Sequence, residues 1–280
     1  MIAFIGSVFS PYYARARRRD AIADPEHYCA LNVALYGARG KRWAMTERGG
    51  QALERDDDHL RIGPSALDWD GQRLRICCDE VTVPMPSRVR GEICLWPQAT
   101  SNATFDLDAA GRHQWMPIAP CARVTVRLER PELSWDGHGY WDSNAGSEAL
   151  EQGFHDWNWS RATAADGTTT VFYDTRARGP DPGANLALRF AANGEQHAIA
   201  APPRVSLART GWRVGRTSRA EHSDIAVEAT LEDTPFYARS LLTTTLWGER
   251  MLTMHESLSL DRFRMPLVQW MLPFRMPRRG

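Results

Sequence analysis

Apolar and polar residues alternate along this chain with a period of two. In RVTVRLE, residues 123–129, Val124, Val126 and Leu128 are separated by Arg123, Thr125, Arg127 and Glu129. In IAVEATLE, residues 225–232, Ile225, Val227 and Leu231 are set against Glu228, Thr230 and Glu232. Side chains of a strand point alternately to its two faces, so each run predicts a strand with one wet face. Glycine recurs between such runs, at Arg39-Gly40, Asp70-Gly71, Ala110-Gly111, Asp166-Gly167, Asn193-Gly194 and Trp247-Gly248. Glycine after a turn-forming residue is the chemistry of hairpin loops. No amphipathic helical repeat of twelve or more residues stands out. The pattern predicts an all-β chain of meandering antiparallel strands. At the start, residues 2–9 read as a buried strand followed by a basic loop. The basic residues follow the apolar stretch instead of preceding it, which argues against a signal peptide.

A length of 280 residues accommodates two domains of ordinary size. The polar, glycine-containing stretch SNAGSEALEQG, residues 143–153, looks poor in strand and suggests a boundary, giving an N-terminal barrel over 1–148 and a C-terminal barrel over 149–280. No internal repeat is visible. Residues 200–206, AAPPRVS, read as a loop within the second half.

Composition narrows the classes. A 43% hydrophobic content supports a full core, and a net charge of zero gives no reason to expect a nucleic-acid partner. The five cysteines are odd in number, lack any C-x-x-C spacing and end at Cys121. That supports neither a disulfide framework nor a metal site, and it fits a reducing, cytoplasmic compartment. No apolar run approaches the roughly 20 residues of a membrane-spanning helix.

Candidate chemistry begins with the eleven tryptophans. Core packing accounts for most, but Trp135, Trp141, Trp157 and Trp159 fall within one short region, with Trp115 a little before. Aromatic-lined cavities suit long apolar or cationic ligands. His113 and Trp115 are two apart in RHQWMP, residues 112–117; Tyr140 and Asp142 have the same spacing in GHGYWDSNAG, residues 137–146. On strands each pair shares a face. Two readings stay open here: a cavity ringed by His, Trp, Tyr and Asp, or a strand-end histidine beside an aspartate that caps a turn. GFHDWNWSR, residues 153–161, offers tryptophans at 157 and 159 as cavity or packing residues and His155 as a structural one. In FYDTR, residues 172–176, Tyr173 and Asp174 are adjacent and would face opposite ways, against a shared role. No H-E-x-x-H, G-x-S-x-G or glycine-rich phosphate loop is present.

Five segments together resemble the carotenoid 1,2-hydratases (hydroxyneurosporene synthases) of phototrophic purple bacteria: IAFIGSVFSPYYA at 2–14, ALNVALYG at 30–37, RWAMTERG at 42–49, GHGYWDSNAG at 137–146 and DRFRMPL at 261–267. The resemblance covers essentially the whole chain. It implies two tandem lipocalin-like antiparallel β-barrels packed side by side. It also implies a lyase without cofactor or metal that adds water across the terminal C1=C2 double bond of an acyclic carotenoid such as neurosporene or lycopene. The family's His-x-Trp and Tyr-x-Asp match His113, Trp115, Tyr140 and Asp142, the expected catalytic residues. Trp141, Asn144, Trp157 and Trp159 are the expected substrate-binding residues.

The chemistry explains these residue types. An isolated alkene is a poor base, so its protonation at C2 needs an acid that survives near neutral pH. An ordinary aspartate, with a pKa of about 3.9, would be ionised; burial among Trp and Tyr would raise that value. Asp142 is then the proton donor, Tyr140 its positioner, Trp115 a π-face shield for the cation and His113 the acceptor of the water proton. The acid and base roles of Asp142 and His113 are not separable by sequence. The last twenty residues, DRFRMPLVQWMLPFRMPRRG, mix aromatic residues with five arginines; they suggest either a peripheral contact with the membrane that holds the substrate or a segment packed across a barrel end. RARRRD at 15–20 is a second candidate contact. A passive carotenoid or lipid carrier, or an isomerase or cyclase of another polyene, are the alternative functions. The preferred carotenoid, the number of ends hydrated, the oligomeric state and whether a segment precedes residue 1 are left open.

Overall fold

A computed structural model describes residues 1–20, 22–37, 40–222 and 225–279. Of the expected turns, Arg39 lies outside these residues. Among the described residues strands dominate, and the longest helix has ten residues. The glycines at the tips of the Asp166-Gly167 and Asn193-Gly194 hairpins have φ of +83° and +91°, the left-handed region that glycine enters without a Cβ clash.

The chain divides into two compact units that interleave along the sequence: residues 1–96, 123–137 and 269–280 form one, and residues 97–122 and 138–268 the other. The position after residue 148 falls within the second unit. The interleaving comes from two long strands, His113–Arg130 and Leu133–Gly146, whose hairpin end (123–137) belongs to the first unit and whose far ends belong to the second.

In the first unit, strands Ile2–Phe4, Cys29–Leu35 and Arg42–Arg48 pair antiparallel. Arg278–Arg279 adds in parallel to the last of them. A meander of Leu53–Arg55, His59–Ile62, Ser65–Trp69, Leu74–Val81 and Arg88–Pro97 leads into the long hairpin. Its core clusters Leu31, Val33, Cys78, Val89, Val126 and Leu128, so the inward set expected from RVTVRLE is the buried one.

The second unit is built on a seven-stranded sheet in the order Gln196–Ala198, Asn185–Phe190, Thr169–Ala177, Phe154–Thr163, Glu249–Ser259, Tyr237–Leu246 and Ala226–Asp233, antiparallel throughout. A two-stranded ribbon, Arg204–Leu207 with Arg216–Arg219, accompanies it. Ala162, Phe172, Ala187, Leu246 and Met251 form a core cluster on this sheet.

Three local expectations are corrected. The first strand ends at Phe4, and the expected basic loop is a helix, Pro11–Arg19. The Ser10 hydroxyl accepts the Tyr13 backbone N–H at 2.9 Å, Pro11 opens the helix and Arg17, Arg18 and Arg19 occupy its last turn. A serine cap, a first-turn proline and C-terminal cations favour a helix at each point where helix ends are weakest. Second, residues 143–153 are not strand-poor: the strand runs on to Gly146 and a short helix fills Leu150–Gly153. Third, the alternation of IAVEATLE is not expressed. Ala226–Asp233 is an edge strand with register shifts between Val227 and Ala229 and between Thr230 and Glu232, and Val227 is exposed. Each extra residue in a bulge reverses which face the next side chain meets.

All five cysteines are free thiols. Among the described residues, no helix is long and apolar enough to cross a membrane.

Candidate active site

The site is assembled from the far ends of the two long strands and one face of the seven-stranded sheet. An aspartate turn sets the start of the first strand. The Asp108 carboxylate accepts backbone N–H groups from Ala110 (2.9 Å), Arg112 (3.2 Å) and His113 (2.8 Å). Burial acts to raise the Asp108 carboxyl, but these backbone donors outweigh it and hold it below its ordinary range. Just beyond, Gln114 and Trp115 pair with Asp106 and Phe105. Trp115 is therefore fixed within a short three-strand ladder, buried, with its ring 5.5 Å from that of Phe105.

Trp115, Tyr140 and Asp142 meet, one residue from the first spaced pair and both from the second. The Trp115 indole N–H donates to Asp142 Oδ2 at 2.8 Å, and the Tyr140 hydroxyl donates to the same oxygen at 3.1 Å. Tyr140 and Asp142 share one face of their strand. Trp141, between them, is turned to the other by the pleat.

Burial raises the Asp142 carboxyl to about 6. The hydrogen bonds from Trp115 and Tyr140 pull in the opposite direction, the charge of Glu256 raises it and that of Arg161 lowers it. Neutral donors favour the anion only in part, so desolvation wins. Tyr140 is itself pushed well above its ordinary range, first by burial and then by the Asp142 charge, and it stays a hydroxyl donor.

The facing sheet supplies a wall of rings. Trp159 stands directly opposite Tyr173 on one neighbour and Glu256 on the other, so the three share a face. The Trp159 ring lies 5.5 Å from Tyr140, and Tyr173 lies 5.5 Å from Trp115 and 5.9 Å from Trp157. The Tyr173 hydroxyl donates to Asn144 Oδ1 at 3.1 Å. The Arg161 guanidinium covers the Tyr140 ring at 5.0 Å. Glu256 is paired with Arg239, whose Nη2 is 2.7 Å from its carboxylate.

His113 has a different set of neighbours. It is 2% exposed, with its ring 4.8 Å from Phe154. Its Nε2 lies 3.4 Å from Glu148 Oε1, and neither atom has a hydrogen-bond partner among the described residues. Burial lowers the imidazole's pKa against the opposing charges of Asp108 and Glu148, so the ring is neutral and one nitrogen is an acceptor. Gly146 and Gly153 make room for it: a Cβ on either would approach the imidazole nitrogens to 2.7 and 2.8 Å. The stretch read as a candidate boundary thus lies against His113, and Gly146 and Gly153 serve close approach.

Of the other candidates, Trp157 packs edge-on against Phe154 and Tyr173, and Trp135 is exposed near the hairpin end. His155 joins Asp261 at 3.0 Å and Arg178 at 3.1 Å in a surface cluster apart from these rings. The sequence pattern singled out Tyr173 only with Asp174, against a shared role, and did not point to Arg161, Glu256 or Glu148. The alternation of Tyr173 and Asp174 was legible; which of the two would meet Trp159 was not.

Comparison with known proteins adds a lineage to this geometry. The family described as carotenoid hydratase CrtC matches residues 1–280. An acyclic carotenoid 1,2-hydratase of Thiocapsa roseopersicina is 58% identical over the whole of this chain and 69% of its own length. Proteins of the same name from Rubrivivax gelatinosus and Cereibacter sphaeroides are 51% and 40% identical over the whole chain, which spans 69% and 98% of their lengths. Among solved structures, a putative AttH from Nitrosomonas europaea superposes with a TM-score of 0.55 over 83% of this chain and 81% of its own, at 12% identity. That last likeness speaks to the fold alone.

Proposed function

We propose a reaction from one premise: this chain belongs to the carotenoid hydratase family. Its activity is the hydration of an acyclic carotenoid at the terminal C1=C2 double bond, a lyase reaction run in the direction of water addition. The observation that carries the residue assignment is a carboxyl group set among rings, hydrogen-bonded by two neutral donors and raised to about 6.

In the proposed step, the Asp142 O–H proton passes to C2. The alkene π pair forms the new C–H bond, a tertiary cation is left at C1 and Asp142 becomes the carboxylate. The Trp115 and Tyr140 donors stabilise that anion, being already aimed at Oδ2. The rings of Trp115, Trp157, Trp159 and Tyr173 present π faces to the cation, and Asn144 holds the Tyr173 hydroxyl. Water then bonds to C1 through its oxygen lone pair and loses a proton. Neutral His113, one residue pair along the strand face from Trp115, is proposed as the acceptor, returning the proton to Asp142 through solvent. Nothing is oxidised or reduced and no group is transferred, so a proton donor and an acceptor suffice without a cofactor. The substrate dissolves in bilayers, so the protein is proposed to work peripherally at a cytoplasmic membrane surface.

The test is turnover of lycopene or neurosporene in lipid vesicles by wild type and Asp142→Asn. A product one water heavier from wild type and absent with the variant is expected. Substantial hydration by the variant would overturn Asp142 as the acid. Pigment binding without a mass change in wild type would make the protein a carrier.

A further inference from the structure

Helix Pro266–Arg275 is apolar on two sides. Val268 and Leu272 are buried, while Leu267, Trp270 and Phe274 are 64%, 66% and 65% exposed. Spacings of three and four residues bring these three to one side of the helix. Trp270 and Phe274 meet edge-on with centroids 5.3 Å apart, and Met265, just before the helix, is also exposed. A contiguous outward group of this size marks an interaction surface.

The face is held in place by its C-terminal end. The Arg275 guanidinium lies 4.4 Å over the Trp43 ring, Arg278 is ion-paired with Glu47, and Arg278–Arg279 continues along Arg42–Arg48. The surroundings are basic. The helix itself carries no carboxylate, Arg264 and Arg279 are exposed, and Arg278 lies 5.9 Å over the ring of Tyr12. Tyr12 is in the first turn of helix Pro11–Arg19, which exposes Arg15, Arg18 and Arg19.

We infer that this helix face is a docking surface for an anionic lipid bilayer, with Leu267, Trp270 and Phe274 entering the interface and the arginines meeting lipid phosphates. The inference rests on the proposed hydration of a membrane-dissolved carotenoid and names the surface that brings the protein to it. Aromatic side chains flanked by arginines suit the boundary between acyl chains and headgroups. A second copy of the chain would set arginines against arginines, so charge favours the bilayer.

Flotation with vesicles of phosphatidylcholine, alone or mixed with phosphatidylserine, tests it on the full chain. Wild type is expected to float more strongly with the anionic vesicles. The Trp270→Ser/Phe274→Ser variant is expected to lose at least tenfold in vesicle binding, and the Arg15→Gln/Arg18→Gln/Arg19→Gln variant to lose the preference for phosphatidylserine. Leu252→Ser, altering another exposed apolar residue, serves as control and is expected to bind as wild type. Undiminished flotation of the Trp270/Phe274 variant would overturn the inference, as would light scattering that shows a wild-type dimer split by that variant. Turnover of a carotenoid in detergent micelles separates this from the reaction. The Trp270/Phe274 variant is expected to keep wild-type turnover there, whereas failure of wild type in micelles despite vesicle binding would count against hydration and not against docking.

Discussion

Tyr173 and Asp174 are consecutive, yet they serve opposite faces of one sheet and two different chemistries. On Tyr173's face lies Asp142, bonded to an indole N–H and a phenol O–H and raised to about 6. On the other face lies the buried Asp174, with Arg219 at 2.6 and 2.8 Å and Arg204 at 3.0 Å. Asp142 is half-buried and Asp174 buried. One has neutral donors and keeps its proton towards neutrality; the other has cations and makes an ion pair. Burial alone does not decide the chemistry of an aspartate. The charge of the partners decides whether desolvation is answered by a counter-ion or by a proton.

The comparison can be broken in order of expected effect. Asp142→Asn is expected to lower hydration by about 10²–10⁴-fold, the range for loss of a general acid, measured as product per enzyme. The same variant is expected to gain stability at high pH. The folded carboxyl is raised above its unfolded value near 4, so its ionisation opposes folding once pH passes through 4 to about 6. Chemical denaturation at pH 8 should show a gain of about 3 kcal/mol over wild type, and the gain should vanish below pH 4. Activity and stability moving in opposite directions would mark Asp142 as a functional group and not a structural one.

On the other face, Arg219→Met leaves the buried Asp174 carboxylate without its main partner. It is expected to destabilise the fold by about 3–5 kcal/mol, read from the denaturation midpoint, while the pH midpoint of turnover stays near 6. A shift of that midpoint would mean that the two faces are electrostatically one site.

The pH profile of wild type is the next smaller effect. Only the protonated acid donates, so turnover is expected to fall about tenfold per pH unit above about 6. A flat profile to pH 8 would place the proton on another group. Smallest is Tyr140→Phe. It removes one of the two hydrogen bonds that lower the Asp142 pKa, so the falling limb should move to higher pH while the maximal rate drops about tenfold through looser positioning.

Much of this was legible in the sequence. The period of two predicted the strand class, the Asp-Gly and Asn-Gly pairs predicted hairpins, and the i, i+2 spacings of His113 with Trp115 and Tyr140 with Asp142 predicted shared faces. What escaped was the helix at Pro11–Arg19, where Ser-Pro capping outweighed the appearance of a basic loop, and the role of residues 143–153. Glycine reads as flexibility in a sequence. At Gly146 and Gly153 it is instead the absence of a Cβ where His113 needs the space.

The partnership of Trp159 shows where the division falls. A two-residue Asp166-Gly167 turn would have set Trp159 opposite Asp174. The loop is longer, spanning 164–168, and the register sets Trp159 opposite Tyr173. One residue of slip exchanges every side chain between faces, and no local preference encodes which loop length prevails. The sequence by itself determined the strand class and, where no bulge intervenes, which neighbours two residues apart look the same way, because these follow from backbone sterics within a few residues. Only the tertiary structure decided that Tyr173, Arg161 and Glu256 would surround Asp142 and that direct arginine bonds would go to Asp174, because register and burial are set by contacts between segments far apart in the chain.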